Sequence, residues 1–273
     1  MSLHELSYGE HKIVLDLGAG GRAVSWCFAG NELLVGSSSQ PLDYGMYVMA
    51  PWVGRNAENS VRWKGLDHVF PANSGGWAVH GSAYRAEITD IESENLIDSQ
   101  LVVTTMNLDG WVEDLVMQTR WQVFSDRLET SVKLRCNSGA GFPASVGWHP
   151  WFRKEIPALG ELQYHVAHGQ RYVREGDVDT DEHYEFDPTT GPFDSTLHVP
   201  GQTIELLWGD RLGLTVANSS PWFVLYDQPE HATCIEPQSA PTNAFGRAGL
   251  QNWVVIAPGG GLELVTTWLF SSH

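Results

Sequence analysis

The sequence is short of positive charge. Of its 273 residues, 16 are lysine or arginine and 33 are aspartate or glutamate, which gives a formal net charge of -17. Charged residues make up only 18% of the chain, below the roughly 25% that is usual in globular proteins. A surface this acidic repels nucleic acid and anionic lipid, so we expect neither as a partner. It also disfavours a phosphorylated substrate, unless arginine and lysine cluster locally.

Cysteines and long apolar runs are also scarce. The three cysteines, Cys27, Cys136 and Cys234, form no CxxC pair, and such a sparse, odd set predicts reduced, buried thiols. A membrane-spanning helix needs an apolar run of about 18 residues, and the sequence contains no run of that length. The opening MSLHELSYGEHKIVLDL has neither the basic nor the apolar region of a signal peptide. We therefore expect a soluble, cytoplasmic protein that does not bind membranes.

Helical periodicity is missing as well, and alternation of apolar and polar residues takes its place. LETSVKLRC (residues 128–136) alternates strictly, and LVMQTRWQVF precedes it across the short turn SDR. TIELLW and LGLTVAN repeat this arrangement around GDR, and GLELVTTWLF supplies a closing strand. No linker or change of composition divides the chain. The pattern predicts one all-β domain, residues 1–273, built as a large β-sandwich of two antiparallel sheets packed face to face.

Signals for a cofactor or a metal are weak. VLDLGAGGRA places Gly18, Gly20 and Ala23 at the spacing of a dinucleotide loop, but the helix that such a loop must open is interrupted by the turn AGN. Strand, glycine turn and strand is the better interpretation. His165 and His168, the closest histidine pair in sequence, would face opposite sides of a strand. We therefore expect no cofactor and no metal.

Two segments carry side chains suited to acid–base chemistry. GWHPWF contains His149 and CIEPQSAPTNAF contains Glu236, and each of these residues directly precedes a proline. A residue before proline is held in an extended conformation, so each side chain is predicted to leave a stiffened strand end, as a positioned acid or base requires. A buried core histidine and a solvent-facing glutamate remain open alternatives. The 12 tryptophans could likewise stack on sugars or simply fill a core.

Together these segments resemble the motifs of the aldose 1-epimerases, or galactose mutarotases, which interconvert the α and β anomers of free sugars. HPWF (149–152) is similar to the family's HPYF-like motif, and EPQSAP (236–241) to its EPQ motif. MAPWVGRNAENSVRWKG (49–65) and VHGSAYR (79–85) resemble two further elements, and GGRAVSWCFAGNELLVG resembles the family's opening segment. The motifs occur in the family's order along nearly the whole chain.

The resemblance implies a large two-sheet β-sandwich that needs neither metal nor cofactor. It implies Glu236 as the general base that takes the proton of the C1 hydroxyl, and an imidazolium at His149, on the opposite side, as the acid that protonates the ring oxygen. Residues expected to bind the sugar are Arg55, His80, Asp194, Trp151 and Gln238. Trp151 stands where the family often has tyrosine, and its ring could offer a face to the sugar. Gly54 replaces the usual asparagine.

Other functions remain open at this stage. A hexose-6-phosphate 1-epimerase would need extra cations, and Arg62, Lys64 and Arg85 could supply them. A non-catalytic carbohydrate-binding sandwich would need no paired acid and base. A methyltransferase would require abundant helix. The expected partner is a small-molecule sugar, and the expected assembly is a monomer or a homodimer.

Overall fold

Strands account for nearly all the regular structure of this protein. The structure is a computed structural model that describes residues 2–108, 114–137, 141–246 and 254–272. Within these ranges, helical structure is limited to three short 3-10 turns, Ala57–Asn59, Ala83–Arg85 and Pro188–Thr190. No helix in the described part of the chain has the length and apolar character needed to cross a membrane.

The strands are numbered in chain order. The first twelve are β1 Leu3–Tyr8, β2 His11–Asp16, β3 Arg22–Phe28, β4 Asn31–Glu32, β5 Met46–Met49, β6 Ser60–Trp63, β7 Leu66–Val69, β8 Ile88–Asn95, β9 Gln100–Leu108, β10 Leu115–Val123, β11 Arg127–Cys136 and β12 Phe142–Ala144. The remaining thirteen are β13 Gly147–Pro150, β14 Phe152–Arg153, β15 Glu155–Ile156, β16 Gly160–His165, β17 Gln170–Glu175, β18 Val178–Glu185, β19 Asp194–His198, β20 Thr203–Trp208, β21 Leu212–Asn218, β22 Trp222–Tyr226, β23 Ala232–Gln238, β24 Val254–Ile256 and β25 Gly261–Ser272.

Two large sheets form the body of the fold. The first runs in the order β1-β2-β3-β5-β13-β23-β22-β19-β17-β18, with β4 and β14 attached to it, and the second in the order β15-β16-β20-β21-β25-β11-β10-β9-β8. Neighbouring strands are antiparallel, as in β13 with β5 and β11 with β25. The predicted all-β sandwich of antiparallel sheets is confirmed, and the amount of helix excludes the methyltransferase interpretation.

The local predictions for turns also hold. β10 and β11 form a hairpin in which Trp121 pairs with Thr130, and β20 and β21 form a second hairpin around GDR. The glycine-rich stretch is the turn between β2 and β3. Gly20 has φ +68°, and a Cβ at this position would lie 2.1 Å from the carbonyl oxygen of Ala83. The glycine is therefore needed for close backbone packing, and the interpretation as strand, turn and strand is confirmed.

Tryptophans of both sheets fill the space between them. The rings of Trp148 and Trp121 pack edge to face with centroids 4.8 Å apart, and those of Trp26 and Trp268 with centroids 5.8 Å apart. All four side chains are fully buried. A buried tryptophan removes about 150–250 Å² from water, worth roughly 4–6 kcal/mol at about 25 cal/mol per Å². These tryptophans therefore belong to the core and do not bind ligands.

The centre of the first sheet presents His149 and Glu236 on its outer face. β13 lies between β5 and β23. Because side chains alternate along a strand, Trp148 and Ile235 enter the core, whereas His149 and Glu236 point to the other side of the sheet. The prediction that Glu236 lies at a strand end is wrong, since β23 continues through Pro237 to Gln238. The side chain is held instead by a strand that is paired on both edges.

Candidate active site

A cleft of about 380 Å³ opens on the outer face of the first sheet. Its volume falls within the range of about 300–1,000 Å³ of small-molecule sites. Six of the seven residues predicted for the site line it, namely Arg55, His80, His149, Trp151, Asp194 and Glu236. They come from β13, β19, β23 and two loops that lie side by side. Isolated bridges join these loops, one between Arg55 and Val79 and one between Ala50 and Gly81.

His149 and Glu236 are in direct contact at the cleft. Nε2 of His149 lies 3.2 Å from Oε1 of Glu236, and the two residues are only 4% and 2% exposed. The expectation that they lie on opposite sides of the site is not what the structure shows. The two groups are adjacent, and a proton can pass between them without a large movement of either side chain.

Burial governs the protonation of this pair. It raises the pKa of Glu236 well above 4.5, and the nearby Asp194 carboxylate raises it further, while Arg174, Gln238 and Arg55 act in the opposite direction. Burial also lowers the pKa of His149 well below 6.5. Both groups therefore favour their neutral forms. These shifts favour a neutral pair in the free protein, with the proton on the carboxyl group of Glu236.

The imidazole of His149 is held by aromatic neighbours. It stacks on Tyr47 with centroids 4.8 Å apart and on Trp151 with centroids 5.5 Å apart. The ring of His80 meets it edge on at 5.0 Å. Within the described ranges, its buried Nδ1 atom has no hydrogen-bond partner in the protein. The ring position is thus fixed chiefly by stacking.

His80 has a defined tautomer. The backbone N–H of Gly54 donates to its Nδ1 atom at 3.1 Å, so the ring proton of the neutral imidazole is on Nε2. Burial, together with the nearby charges of Arg55 and Arg174, lowers the pKa of His80 from 6.5 to about 3. Its conformation is also constrained, because His80 has φ +61°. The residue presents a neutral N–H donor at the cleft.

This tautomer opposes metal binding. The ligand atoms of His80, His149 and Glu236 all lie within 4.8 Å of one another, close enough to suggest a metal site. A histidine that binds a metal must present a nitrogen without a proton. In His80, however, Nδ1 already accepts a hydrogen bond and Nε2 carries the proton. The three residues are therefore better suited to proton transfer and hydrogen bonding than to coordination.

Arg55 and Asp194 form the second polar wall of the cleft. Nη1 of Arg55 lies 3.9 Å from Oδ2 of Asp194, and both side chains are about one-third exposed. The buried Nε atom of Arg55 has no hydrogen-bond partner in the described part of the chain. Asp194 is the first residue of β19 and pairs with Tyr226 in the sheet. An N–H donor and a carboxylate acceptor thus lie side by side, as sugar hydroxyls require.

Trp151 lines the cleft and Gln238 does not, and both side chains are engaged by neighbouring residues of the protein. Trp151 stacks with both His149 and His231, donates its Nε1–H to Leu42 and is only 5% exposed. Little of its ring face is left for a sugar. Gln238 is fully buried and does not line the cleft. Its Nε2 atom donates to Oε2 of Glu236 at 3.2 Å, so it holds the carboxyl group instead.

Gly54 leaves no room for the asparagine that is usual in the family. A Cβ added here would lie 2.4 Å from Cγ2 of Thr242, and the backbone has φ +61°. Thr242 fills this space and binds the carboxylate of Asp179 through its hydroxyl. The departure at Gly54 is thus matched by the threonine opposite it.

The sequence motifs do not include the hairpin of β17 and β18. Arg174 and Asp177, on this hairpin, line the cleft, and Asp179 lies behind them. The segment REGDVD is polar and typical of an exposed turn. Arg174 contacts Asp194 of β19, and the local sequence contains no signal of this contact.

The structure resembles several solved sugar epimerases and related proteins. A galactose mutarotase-like protein of Clostridium acetobutylicum shares 15% identity and a TM-score of 0.86, covering 98% of this chain and 95% of its own. Galactose 1-epimerase of Lactobacillus acidophilus is 13% identical in sequence, with a TM-score of 0.79. The match covers 100% of this chain and 95% of that protein. The aldose epimerase homologue of C. elegans is 15% identical in sequence, with a TM-score of 0.77, and the match covers 99% of each chain. At these identities, the likeness establishes the fold alone.

Comparison at the level of sequence leads further. No curated protein matches the sequence. The sequence model of the family Aldose 1-epimerase, however, matches residues 17–259. This range contains the cleft, with His149 and Glu236 in contact, and most of both large sheets. The chain belongs to the aldose 1-epimerase family.

Proposed function

We propose that this protein interconverts the α and β anomers of a free, unphosphorylated aldose, with His149 and Glu236 as the catalytic pair. The observation that carries the proposal is their 3.2 Å contact in the cleft. Family membership supports a sugar epimerase that acts as an isomerase. The contact supports the more specific assignment of general acid–base ring opening to these two residues.

The adjacency of the pair suits the reaction. The ring oxygen O5 and the hydroxyl oxygen O1 are bonded to the same carbon, C1, so two neighbouring groups can serve both of them. One residue takes the proton of O1 while the other gives a proton to O5, the C1–O5 bond breaks, and a carbonyl forms at C1. Rotation about C1–C2 followed by the reverse transfers yields the other anomer. General acid and base catalysis each contribute roughly 10²–10⁴-fold.

A single shared proton is sufficient for this cycle. In the free cleft, burial favours a protonated Glu236 and a neutral His149. In one direction Glu236 protonates O5 and His149 accepts the proton of O1. Closure then returns both protons, with the roles exchanged. Each residue therefore acts as acid in one half of the cycle and as base in the other, as expected from the sequence. The proposed cycle differs from that expectation in the atoms served, because Glu236 exchanges its proton with O5 and His149 with O1.

The remaining residues are suited to holding the other hydroxyls. His80 presents Nε2–H, and Arg55 presents a buried N–H with no partner in the described chain. Asp194 offers a carboxylate acceptor about 29% exposed to the cleft. Donors and acceptors held in place before binding lower the entropic cost of orienting the sugar.

The charges around the cleft favour an uncharged sugar over a hexose phosphate. Arg62 pairs with Asp67 on the exposed hairpin of β6 and β7, and neither Lys64 nor Arg85 lines the cleft. The two cleft arginines, Arg55 and Arg174, both face Asp194. A phosphate group would have to compete with that carboxylate for them.

The test is polarimetry on freshly dissolved α-D-galactose and α-D-glucose at low buffer concentration. Wild type should accelerate the decay of rotation, and His149→Asn and Glu236→Gln should each lose roughly 10²–10⁴-fold. Matched controls are His165→Asn and Glu205→Gln, two exposed residues of β16 and β20, and they should behave as wild type.

Other results would redirect the assignment. Acceleration of the 6-phosphates alone would replace the free sugar with a phosphorylated one. Sugar binding without acceleration of any aldose would leave a non-catalytic carbohydrate-binding sandwich, and the contact between His149 and Glu236 would then be structural.

A further inference from the structure

Arg174 is a mostly buried cation in the wall of the cleft. It lies on β17, and its side chain is 16% exposed. Its Nε atom is 2.9 Å from Oδ1 of Asp179, and its Nη1 atom contacts Oδ2 of Asp194. One guanidinium thus joins a carboxylate inside the protein to a carboxylate that faces the cleft.

Asp179 connects this arginine to the rest of the site. It is only 1% exposed, and its Oδ2 atom accepts hydrogen bonds from the hydroxyls of Thr196 and Thr242. Thr196 lies on β19, two residues after Asp194, and Thr242 packs against Gly54. The carboxylate therefore links β18, β19 and the loop that follows Glu236.

The same network reaches Arg55 through Asn243. The Nδ2 atom of Asn243 donates to the backbone carbonyl of Asp179 at 2.9 Å. Its backbone N–H donates to the carbonyl of Arg55 at 3.0 Å, and its Oδ1 atom accepts from the N–H of Ala57 at 2.9 Å. Displacement of Asp179 would therefore disturb the segment that carries Arg55.

We propose that Arg174 is a positioning residue, which orients Asp194 directly and the Arg55 segment through Asp179, so that both meet the hydroxyls of the sugar. The proposal rests on the proposed function, since it assigns Asp194 and Arg55 to the substrate. The positive charge of Arg174 also offsets the repulsion between Asp179 and Asp194. The same charge lowers the pKa of the Glu236 carboxyl against the larger effect of burial.

The decisive experiment compares Arg174→Gln, Arg174→Lys and the control Arg211→Gln, whose arginine is exposed and binds the carbonyl of Ala158. For galactose, Arg174→Gln should raise KM roughly 10–100-fold, as loss of a hydrogen bond to a charged group predicts, and change kcat much less. In the pH dependence of kcat/KM, the inflection that reports ionisation of Glu236 should move to higher pH. Arg174→Lys should return that limb toward wild type but leave KM raised, because lysine cannot reproduce the two-point geometry.

An unchanged KM in Arg174→Gln would overturn the proposal. So would equal losses of activity in Arg174→Gln and Arg174→Lys that follow their folded fractions in thermal melts. If wild type binds galactose without epimerising it, the proposed function fails, and the proposal is then tested by the Kd for galactose, measured by calorimetry, which Arg174→Gln should raise.

A further measurement requires no sugar. Titration of the ¹³C-labelled Glu236 carboxyl by NMR should show a higher pKa in Arg174→Gln than in Arg211→Gln. Equal values in the two variants would overturn the electrostatic part of the proposal whatever the substrate proves to be.

Discussion

The two faces of the first sheet differ sharply, although the same strands build both. The inner face packs Trp26 and Trp148 against tryptophans of the second sheet. The outer face buries His149 and Glu236. In the described part of the protein, buried polar atoms without a partner occur on both faces, Nε1 of Trp121 and Trp148 between the sheets and Nε of Arg55 and Nδ1 of His149 at the cleft. Such atoms are costly to bury. Where they gather in a cleft, they indicate that a ligand completes their hydrogen bonds.

Two buried histidines make the same contrast at the scale of one residue. His11 is 2% exposed and lies among Trp26, Phe28 and Phe270, and Nε1 of Trp26 points at its Nδ1 atom, 3.4 Å away. His149 is equally buried but touches a carboxyl group. Burial next to tryptophan does not distinguish a core histidine from a catalytic one. The difference lies in whether a titratable partner is within reach.

The largest expected effect on stability distinguishes two adjacent residues of β13, one on each face of the sheet. Trp148→Ala should lower the free energy of unfolding by about 3–5 kcal/mol, because it opens a cavity between the sheets. His149→Asn should leave folding nearly unchanged and remove most of the activity. Chemical denaturation and polarimetry on both variants check this. Equal loss of stability in the two would show that the outer face is also a packing surface.

The second effect concerns pH and His11. Burial lowers the pKa of His11 from 6.5 to about 4, so the unfolded chain takes up its proton first as the pH falls. Stability linked to His11 is therefore complete above pH 6.5 and is lost between 6.5 and about 4, by roughly 3 kcal/mol. The free energy of unfolding, measured by chemical denaturation at several pH values in this range, should fall less steeply with decreasing pH for His11→Leu than for wild type. If the free energy of unfolding depends on pH equally in both proteins, the other buried histidines cause the loss of stability.

The smallest effect tests the close packing beneath the cleft. Gly54→Ala places a Cβ against Thr242, whereas Gly30→Ala, also at positive φ, meets nothing within 4 Å. The backbone cost should be about 1 kcal/mol in both, and crowding should add roughly 1–3 kcal/mol in Gly54→Ala alone. Thermal and chemical unfolding measure the difference. Equal destabilisation would mean that the loop carrying Thr242 moves aside freely.

Prediction from sequence succeeded where the signal is local. Alternation in LETSVKLRC gave β11, and the turns SDR and GDR gave two hairpins, because a pleated strand with one buried face needs this pattern. The motifs around His149 and Glu236 identified the residues that meet in the cleft. It did not predict features that depend on distant contacts, such as the burial of Arg174, the stacking of Trp151 on His231 and the full burial of Gln238.

The sequence by itself determined the strands, the turns and the short motifs, because each depends on residues that are close together along the chain. Its acidity also predicts that anionic partners are disfavoured. Only the tertiary structure decided that His149 and Glu236 touch, because β13 and β23 are distant in sequence and become neighbours in the sheet. Burial created by that packing raises one pKa and lowers the other, and this makes the pair able to share a proton.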